Sequence, residues 1–135
     1  MRKKSGFNLL ELMIVLTIIG ILCAISIPIY SEHMIRARRL EAEVSLIKLA
    51  NALEKYFFLN NTYENATLEQ LHLSEKIANE QYQLQIAAAT SSGFSIKAVP
   101  LGMQAEKDVA CASLTLDSEG NKGITGSDKI TACWY

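Results

Sequence analysis

The feature that most constrains this chain is a run of 20 residues, Leu12 to Ser31, that contains no Lys, Arg, Asp or Glu. A helix of roughly 20 apolar residues spans the hydrocarbon core of a bilayer, which is about 30 Å thick. The chain has 135 residues in all, enough for one small domain after this run. We therefore expect a membrane segment near the N-terminus followed by a single polar domain.

The residues around the run argue for a helix that is retained. No convincing A-x-A cleavage site follows it, and it is too long for the apolar part of an ordinary secretory signal. Arg2, Lys3 and Lys4 favour a cytoplasmic N-terminus. Three arginines follow the run within eight residues, at positions 36, 38 and 39. The positive-inside rule alone therefore leaves the orientation open.

Glu11 is the unusual residue, because an ionisable group at the margin of a membrane helix costs a few kcal/mol. It could lie near the interface and reach lipid headgroups. It could instead meet a positive charge on a partner.

Gly6-Phe7, the acid Glu11, the basic start and the apolar run together resemble the type IV prepilin signal. The resemblance implies a leader of residues 1–6, cleaved between Gly6 and Phe7 by a prepilin peptidase that then N-methylates Phe7. It also implies that Glu11, fifth in the mature chain, pairs with the terminal amine of a neighbouring subunit during assembly. A buried charge pair of this kind acts mainly on register and specificity.

Two helix breakers, Gly20 and Pro28, interrupt the segment 7–30, which we assign to the membrane and the filament core. Glycine weakens a helix interior and proline removes a backbone hydrogen bond. We expect a kink at Pro28. The pilin resemblance adds that the segment between the two breakers can lose helicity in a filament.

The same helix is predicted to continue as an amphipathic half over residues 31–59 and to end at Asn60-Asn61. Apolar residues recur there at spacings of three and four, which predicts one buried face. The predicted face consists of Leu40, Val44, Ile47, Ala50, Leu53 and Phe57.

Residues 60–135 are predicted to form the head. Alternating residues predict strands over 82–87, 94–99 and 112–116, and the stretch 117–123 is predicted to be a polar turn. The expected fold class is α+β, with a small antiparallel sheet of three or four strands packed on the long helix.

The three cysteines differ in setting. Cys23 lies in the apolar run, where a thiol behaves as a small hydrophobe. Cys111 and Cys133 can pair if the head lies outside the cytoplasm, and otherwise they would be two buried thiols. The region 82–135 also resembles the PilE-like minor pilins, on Pro100, Gln104, Asp108 and the two cysteines. That resemblance implies a C-terminal segment closed by Cys111–Cys133.

No catalytic constellation is present, so we expect no enzyme activity, no cofactor and no metal. His33 and His72 lack the spacing of a zinc site, and the acidic stretch 117–121 lacks the geometry of a calcium loop. Removal of the leader takes away three of 13 basic residues and none of 14 acidic ones, which leaves a formal charge of −4. This charge argues against general affinity for nucleic acid.

The sequence therefore predicts a structural subunit of a type IV pilus, first of all a minor pilin in assembly, twitching motility and adhesion. A major pilin, a type II secretion pseudopilin and, from another class, a DNA-uptake receptor are the alternatives. The expected partners are other pilin subunits, the prepilin peptidase/N-methyltransferase, the inner-membrane assembly machinery and, before assembly, the lipid bilayer. The expected location is the inner membrane, as a single-pass precursor with a periplasmic head, and then the extracellular pilus.

Overall fold

The computed structural model describes residues 6–135, so most of the predicted leader lies outside the described residues. Its longest element is α1, Leu9–Asn60, a helix of 52 residues that matches the predicted helix within two residues at its start and one at its end. Two compact units share this helix, and they divide between Met34 and Ile35. We call the second unit, Ile35–Tyr135, the head.

In the first unit the helix runs through both predicted breakers, Gly20 and Pro28, so neither of them ends it. The kink at Pro28 and the loss of helicity in a filament stay predictions. The hydroxyls of Thr17 and Ser26 donate to the carbonyl oxygens of Met13 and Leu22, at 2.8 and 2.7 Å. Such bonds satisfy polar side chains within the helix, as an apolar environment requires.

The head carries one antiparallel sheet of five strands in chain order. The fold class is confirmed, and the predicted strand number of three or four is corrected to five. In chain order the elements after α1 are β1 Lys76–Ile77, β2 Tyr82–Ala89, β3 Phe94–Pro100, α2 Gly102–Lys107, β4 Leu114–Asp117, β5 Lys122–Ile124 and α3 Ile130–Cys133.

The two strands that the sequence did not predict are the short edge strands. β1 has two residues, and β5 has three that lie in or next to the predicted polar turn. Strands this short carry almost no alternation of their own, so their pairing with longer neighbours makes them strands. β5 pairs with β4 from Leu114↔Ile124 to Leu116↔Lys122, and the indole N–H of Trp134 donates to the carbonyl oxygen of Gly123 at 2.9 Å.

The buried face of α1 differs from the predicted one. Leu40, Val44 and Ile47, which open the predicted face, are 49, 44 and 46% exposed. The fully buried leucines of the helix are Leu46, Leu49 and Leu53, of which only Leu53 was predicted to face the sheet. The prediction failed because this half of α1 has two apolar stripes, and spacing alone does not say which of them the sheet covers.

The core of the head lies between this face of α1 and alternate residues of the strands. Two of the predicted residues, Ala50 and Phe57, are half-buried and pack against it. The inward strand residues are Tyr82 and Leu84 on β2, Phe94, Ile96 and Ala98 on β3, and Leu114 and Leu116 on β4.

Gly126→Ala is expected to destabilise the head by about 1–3 kcal/mol, the usual range for overpacking. Gly126 N–H donates to the Cys111 carbonyl at 3.1 Å, and a Cβ at this position would overlap the carbonyl oxygen of Ala110. Denaturant unfolding of the full chain in detergent measures the loss. Ser127→Ala, a change at the exposed neighbouring residue, is the control and should have little effect. An equal effect of the two changes would contradict the expectation.

Candidate assembly surface and head anchor

The first unit presents an almost wholly apolar surface. Every Phe, Leu, Ile, Met, Val and Tyr side chain from Phe7 to Tyr30 is at least 44% exposed, and Phe7 reaches 81%. The uncharged part of α1 is long and apolar enough to cross a membrane, and none of it is buried. Apolar surface on this scale requires cover by lipid or by other chains.

Glu11 lies on this apolar helix and is exposed. Within residues 6–135 no ion-pair partner of Glu11 is found. Phe7 precedes the first helical residue by two positions. The arrangement leaves the carboxylate available for a positive charge from another chain. Cleavage at Gly6/Phe7 and the pairing role of Glu11 stay predictions.

A second apolar surface lies on the head part of α1. The exposed residues Leu40, Val44 and Ile47 follow one another at spacings of four and three, so they form one stripe on the helix. We call these three residues the outer stripe. It lies on a different face of the helix from the leucines that pack into the head core.

Inside the head, a buried ion pair joins α1 to the end of α2. Arg39 Nε donates to Asp108 Oδ2 at 3.0 Å and Arg39 Nη2 donates to Asp108 Oδ1 at 2.6 Å. The two residues are only 7 and 4% exposed. Burial lowers the pKa of Arg39, but the hydrogen bond and the charge of Asp108 outweigh it, so that pKa lies above its usual value. The guanidinium therefore stays charged at neutral pH.

Two further side chains complete the polar cluster around Asp108. The amide of the fully buried Gln104 donates to the carbonyl oxygen of Ile35 at 3.2 Å, to the Tyr82 hydroxyl at 3.2 Å and to Asp108 Oδ2 at 3.1 Å. Tyr82 donates its hydroxyl to Asp108 Oδ2 at 3.3 Å. Burial raises the pKa of Tyr82 to about 12, so the phenol stays a donor.

The C-terminal segment is fastened to α1 and to the rest of the head. Cys111 and Cys133 form a disulfide with a Cα–Cα distance of 5.6 Å, which confirms the predicted bond. Arg39 Nη1 donates to the Ala132 carbonyl at 3.4 Å. The backbone N–H of Tyr135 donates to the buried carboxylate of Glu43 at 3.1 Å. Arg39 and Glu43 are one helical turn apart, so one stretch of α1 holds the segment.

Glu43→Gln is expected to remove one pH-dependent contribution to stability. Burial raises the pKa of Glu43 above its ordinary value of 4.5. A raised carboxyl pKa stabilises the fold below the unfolded pKa, and that stabilisation is lost as pH rises through the folded pKa. The free energy of unfolding of the natural chain minus that of Glu43→Gln should therefore fall as pH rises above about 4.5. Denaturant unfolding of both chains at several pH values measures it, and a difference that rises with pH would contradict the expectation.

One group of metal-ligand types occurs within residues 6–135: Cys111, Asp128 and Cys133. The two sulfur atoms are joined in the disulfide, so they are not thiolate ligands.

Sequence reasoning named Asp108 and Gln104 as part of a resemblance and considered Arg39 only as one of three arginines that follow the uncharged run. The structure separates Arg39 from the exposed Arg36 and the half-buried Arg38. Glu43 was not recognised as an anchor. The available signal was that Arg39 and Glu43 alternate with the buried Ala42 and Leu46 along the helix, which places both on the inner face.

Comparison with protein families finds two matches that follow one another along the chain. Residues 1–27 match the prokaryotic N-terminal methylation motif. Residues 28–115, more than half of the chain, match the family described as type IV minor pilin ComP, DNA uptake sequence receptor.

Single proteins agree with the family match. Fimbrial protein Q of Moraxella bovis is 30% identical over 132 residues, which cover 89% of this chain and 84% of that protein. Fimbrial protein EcpB of Eikenella corrodens is 58% identical over 38 residues, which span 28% of this chain and 24% of that protein. The crystal structure of the non-core minor pilin PilV of Neisseria meningitidis covers 72% of this chain and 92% of its own, with a TM-score of 0.56 and 21% identity. The last match shows the fold.

Proposed function

The chain belongs to the family of type IV minor pilins matched over residues 28–115, and from this premise we propose that it is a low-copy subunit that primes or adjusts a type IV pilus. As a type IV pilin it is a structural subunit that assembles with other pilins, and its methylation motif implies processing by a prepilin peptidase. Its apolar helix and its pilin relatives fit a membrane-anchored precursor that becomes part of an extracellular pilus.

The observation that carries the proposal is the exposed apolar helix with its single carboxylate. In the precursor, lipid covers the side chains from Phe7 to Tyr30. In a filament the same side chains pack against the helices of other subunits, and the outer stripe of the head continues that contact. Burial of apolar surface stabilises both the membrane state and the filament state.

Glu11 supplies register in this scheme. Cleavage after Gly6 frees the amine of Phe7, and the Glu11 carboxylate of one subunit pairs with that amine on a neighbour. An unpaired carboxylate among apolar helices would cost several kcal/mol, so the pair forms only when the subunits are correctly staggered.

Glu11→Ala is expected to reduce incorporation into pili at least tenfold, because the loss of about 1.4 kcal/mol already changes an equilibrium tenfold. The head should keep its stability. Quantitative mass spectrometry of sheared filaments and denaturant unfolding of the detergent-solubilised chain measure the two effects. Glu69→Ala, which removes an exposed carboxylate from the head, is the matched control. Normal incorporation of the Glu11 variant would refute the pairing role.

The minor role is tested by abundance. We expect this chain in purified filaments at a small fraction of the main subunit, with N-methylated Phe7 as its first residue. Deletion of its gene should change pilus number, twitching motility or adhesion without removing the main filament protein. A chain that forms the bulk of the filament would be a major pilin. Recovery of intact Met1–Gly6 from the filament would refute the processing step.

The remaining assignments belong to the same proposal. Residues 7–30 form the membrane and filament-core segment, 31–59 the head part of the helix, and 60–135 the rest of the head. The head lies in the periplasm before assembly, where Cys111–Cys133 can form. Inner-membrane machinery driven by ATP supplies the force, since this chain has no nucleotide-binding motif.

The orientation is tested in spheroplasts with a Cys23→Ser chain that also carries Ser91→Cys. The measurement is whether an impermeant thiol reagent labels the cysteine at position 91.

The family description favours DNA binding by the head as a second candidate. The pairing of β2, β3 and β4 sets Gln85, Lys97 and Thr115 side by side, in register, on the strand face opposite the core. These side chains can donate hydrogen bonds to phosphates or bases. Binding of duplex DNA should weaken with rising salt and with Lys97→Gln. Affinity that is absent at low salt would exclude this role and leave the assembly role untouched.

A further inference from the structure

We propose that the head, while the subunit is still in the membrane, contacts the anionic surface of the bilayer through α2 and the adjoining turn of α1. The contact surface consists of Arg36, Arg38, Met103 and Val109. We call it the membrane-proximal patch.

Chain connectivity ties α2 to the start of the head part of α1, the part that follows the uncharged run. Gln104 on α2 donates to the backbone oxygen of Ile35 on α1 at 3.2 Å. Ile35 follows Ser31, the last residue of the uncharged run, by four positions, and four helical residues rise about 6 Å. Within the head, α2 is thus fastened to α1 at a residue that follows the uncharged run by four positions.

The same fastening decides which side of α2 is exposed. Gln104 and Asp108 are one turn apart and both face inward, where they bind Ile35, Tyr82 and Arg39. Met103 and Val109 are therefore left outside, at 54 and 66% exposure. Apolar side chains next to a bilayer gain free energy by entering its interfacial layer.

Positive charge is concentrated in the same part of the chain. Segments 32–39 and 102–108 hold four basic and three acidic residues, a formal charge of +1, while the rest of the mature chain holds six basic and eleven acidic residues, a charge of −5. The three acids in these segments are Glu32, Glu106 and Asp108, and Asp108 is bound to Arg39. Arg36 is exposed, and the buried Nε of Arg38 has no hydrogen-bond partner within the described residues.

These features favour lipid phosphates over a protein partner. An arginine fork binds phosphate oxygens in pairs, and basic residues next to a membrane helix are attracted to anionic lipid. The rest of the mature chain is acidic, so the same anionic bilayer repels most of the remaining surface of the chain. This distribution of charge holds the head on the bilayer through the membrane-proximal patch. The contact is lost when the helix leaves the membrane and enters a filament.

The test places a fluorophore on the full chain in vesicles. Met103→Cys in a Cys23→Ser chain offers one free thiol for a polarity-sensitive label, because the other two cysteines are in the disulfide. Ser91→Cys is the reference site. It lies in the β2–β3 turn, at the other end of β3 from α2, roughly 20 Å away for a strand of this length. Lipids with a headgroup-level nitroxide report contact by quenching.

We expect the Met103 label to be quenched more in phosphatidylglycerol vesicles than in phosphatidylcholine vesicles, and the Ser91 label to change little. Arg36→Gln with Arg38→Gln should lower the ratio of contacting to free heads on phosphatidylglycerol roughly 10- to 30-fold. Lys48→Gln with Lys55→Gln removes the same charge from the same helix farther along and should leave the ratio near its natural value. High salt should act like the arginine changes.

Three results would overturn the proposal. One is equal quenching at the Met103 site in the two lipids. Another is quenching there no greater than at Ser91. The third is an arginine variant that behaves like the lysine variant. The lipid comparison uses the natural arginines, so it stays decisive if the arginine variant folds poorly. Pilus incorporation is not part of the readout, so the result is separate from the proposed assembly role.

Discussion

Asp108→Ala is expected to destabilise the head by about 3–5 kcal/mol, the usual cost of removing one partner of a buried ion pair. The change leaves the Arg39 guanidinium buried without its counter-charge. It also removes the acceptor of the Tyr82 hydroxyl and one of the three acceptors of the Gln104 amide. Unfolding of the detergent-solubilised full chain in denaturant, followed by the fluorescence of the single tryptophan, Trp134, measures the loss.

A second variant separates the destabilisation caused by an unpaired buried charge from the net contribution of the ion pair to the free energy of unfolding. Arg39→Met combined with Asp108→Leu removes both charges and keeps apolar volume, and replacements of this kind are often close to neutral. We therefore expect the double variant to recover most of the stability that Asp108→Ala loses. Glu106→Ala, at an exposed acid two residues away, should cost less than about 0.5 kcal/mol. A loss below 1 kcal/mol for Asp108→Ala would contradict the assignment of the cluster as the anchor between α1 and α2.

Cys111→Ser with Cys133→Ser is expected to destabilise the head by about 3 kcal/mol, from the chain-entropy cost of opening a loop of this length. The two cysteines are 22 positions apart, and both are buried. Without the bond, the C-terminal segment depends on Arg39, Glu43 and the hydrogen bond of the Trp134 indole. Acrylamide quenching of Trp134 should rise together with the loss of stability, since that side chain is only 6% exposed in the native head.

Cys23→Ser is the control for the disulfide variant, because Cys23 lies in the apolar unit and is free. It should leave the unfolding of the head unchanged. Reduction of the natural chain under native conditions should reproduce the serine variant. A serine variant as stable as the natural head, with Trp134 still shielded, would show that the hydrogen bonds alone hold the segment.

The anchor and the assembly surface differ in which amino-acid replacements they tolerate. The exposed side chains from Phe7 to Tyr30 can be covered by lipid or by neighbouring subunits, so many apolar replacements should serve. The Arg39–Asp108 pair is buried and depends on two hydrogen bonds between the guanidinium and the carboxylate. Changes in the head core should therefore lower the amount of folded subunit, whereas Glu11→Ala should leave the subunit folded and lower its incorporation.

The sequence by itself determined the long helix and three strands of the sheet, and a family resemblance implied the cysteine pair. The helix and the strands depend on local composition and spacing: an uncharged run and the alternation of apolar residues. Tertiary structure alone decided which apolar stripe of α1 faces the sheet, because Leu40, Val44 and Ile47 have the same period as the leucines that are buried. It also decided that Arg39 faces inward and pairs with Asp108, 69 positions away. Strands β1 and β5 exist through pairing with longer strands. For the stripe and the ion pair, the deciding free energy comes from contacts between segments far apart in the chain. Strands β1 and β5 pair with residues as near as five and six positions away, Ile77 with Tyr82 and Leu116 with Lys122, but they are too short to show an alternation of their own.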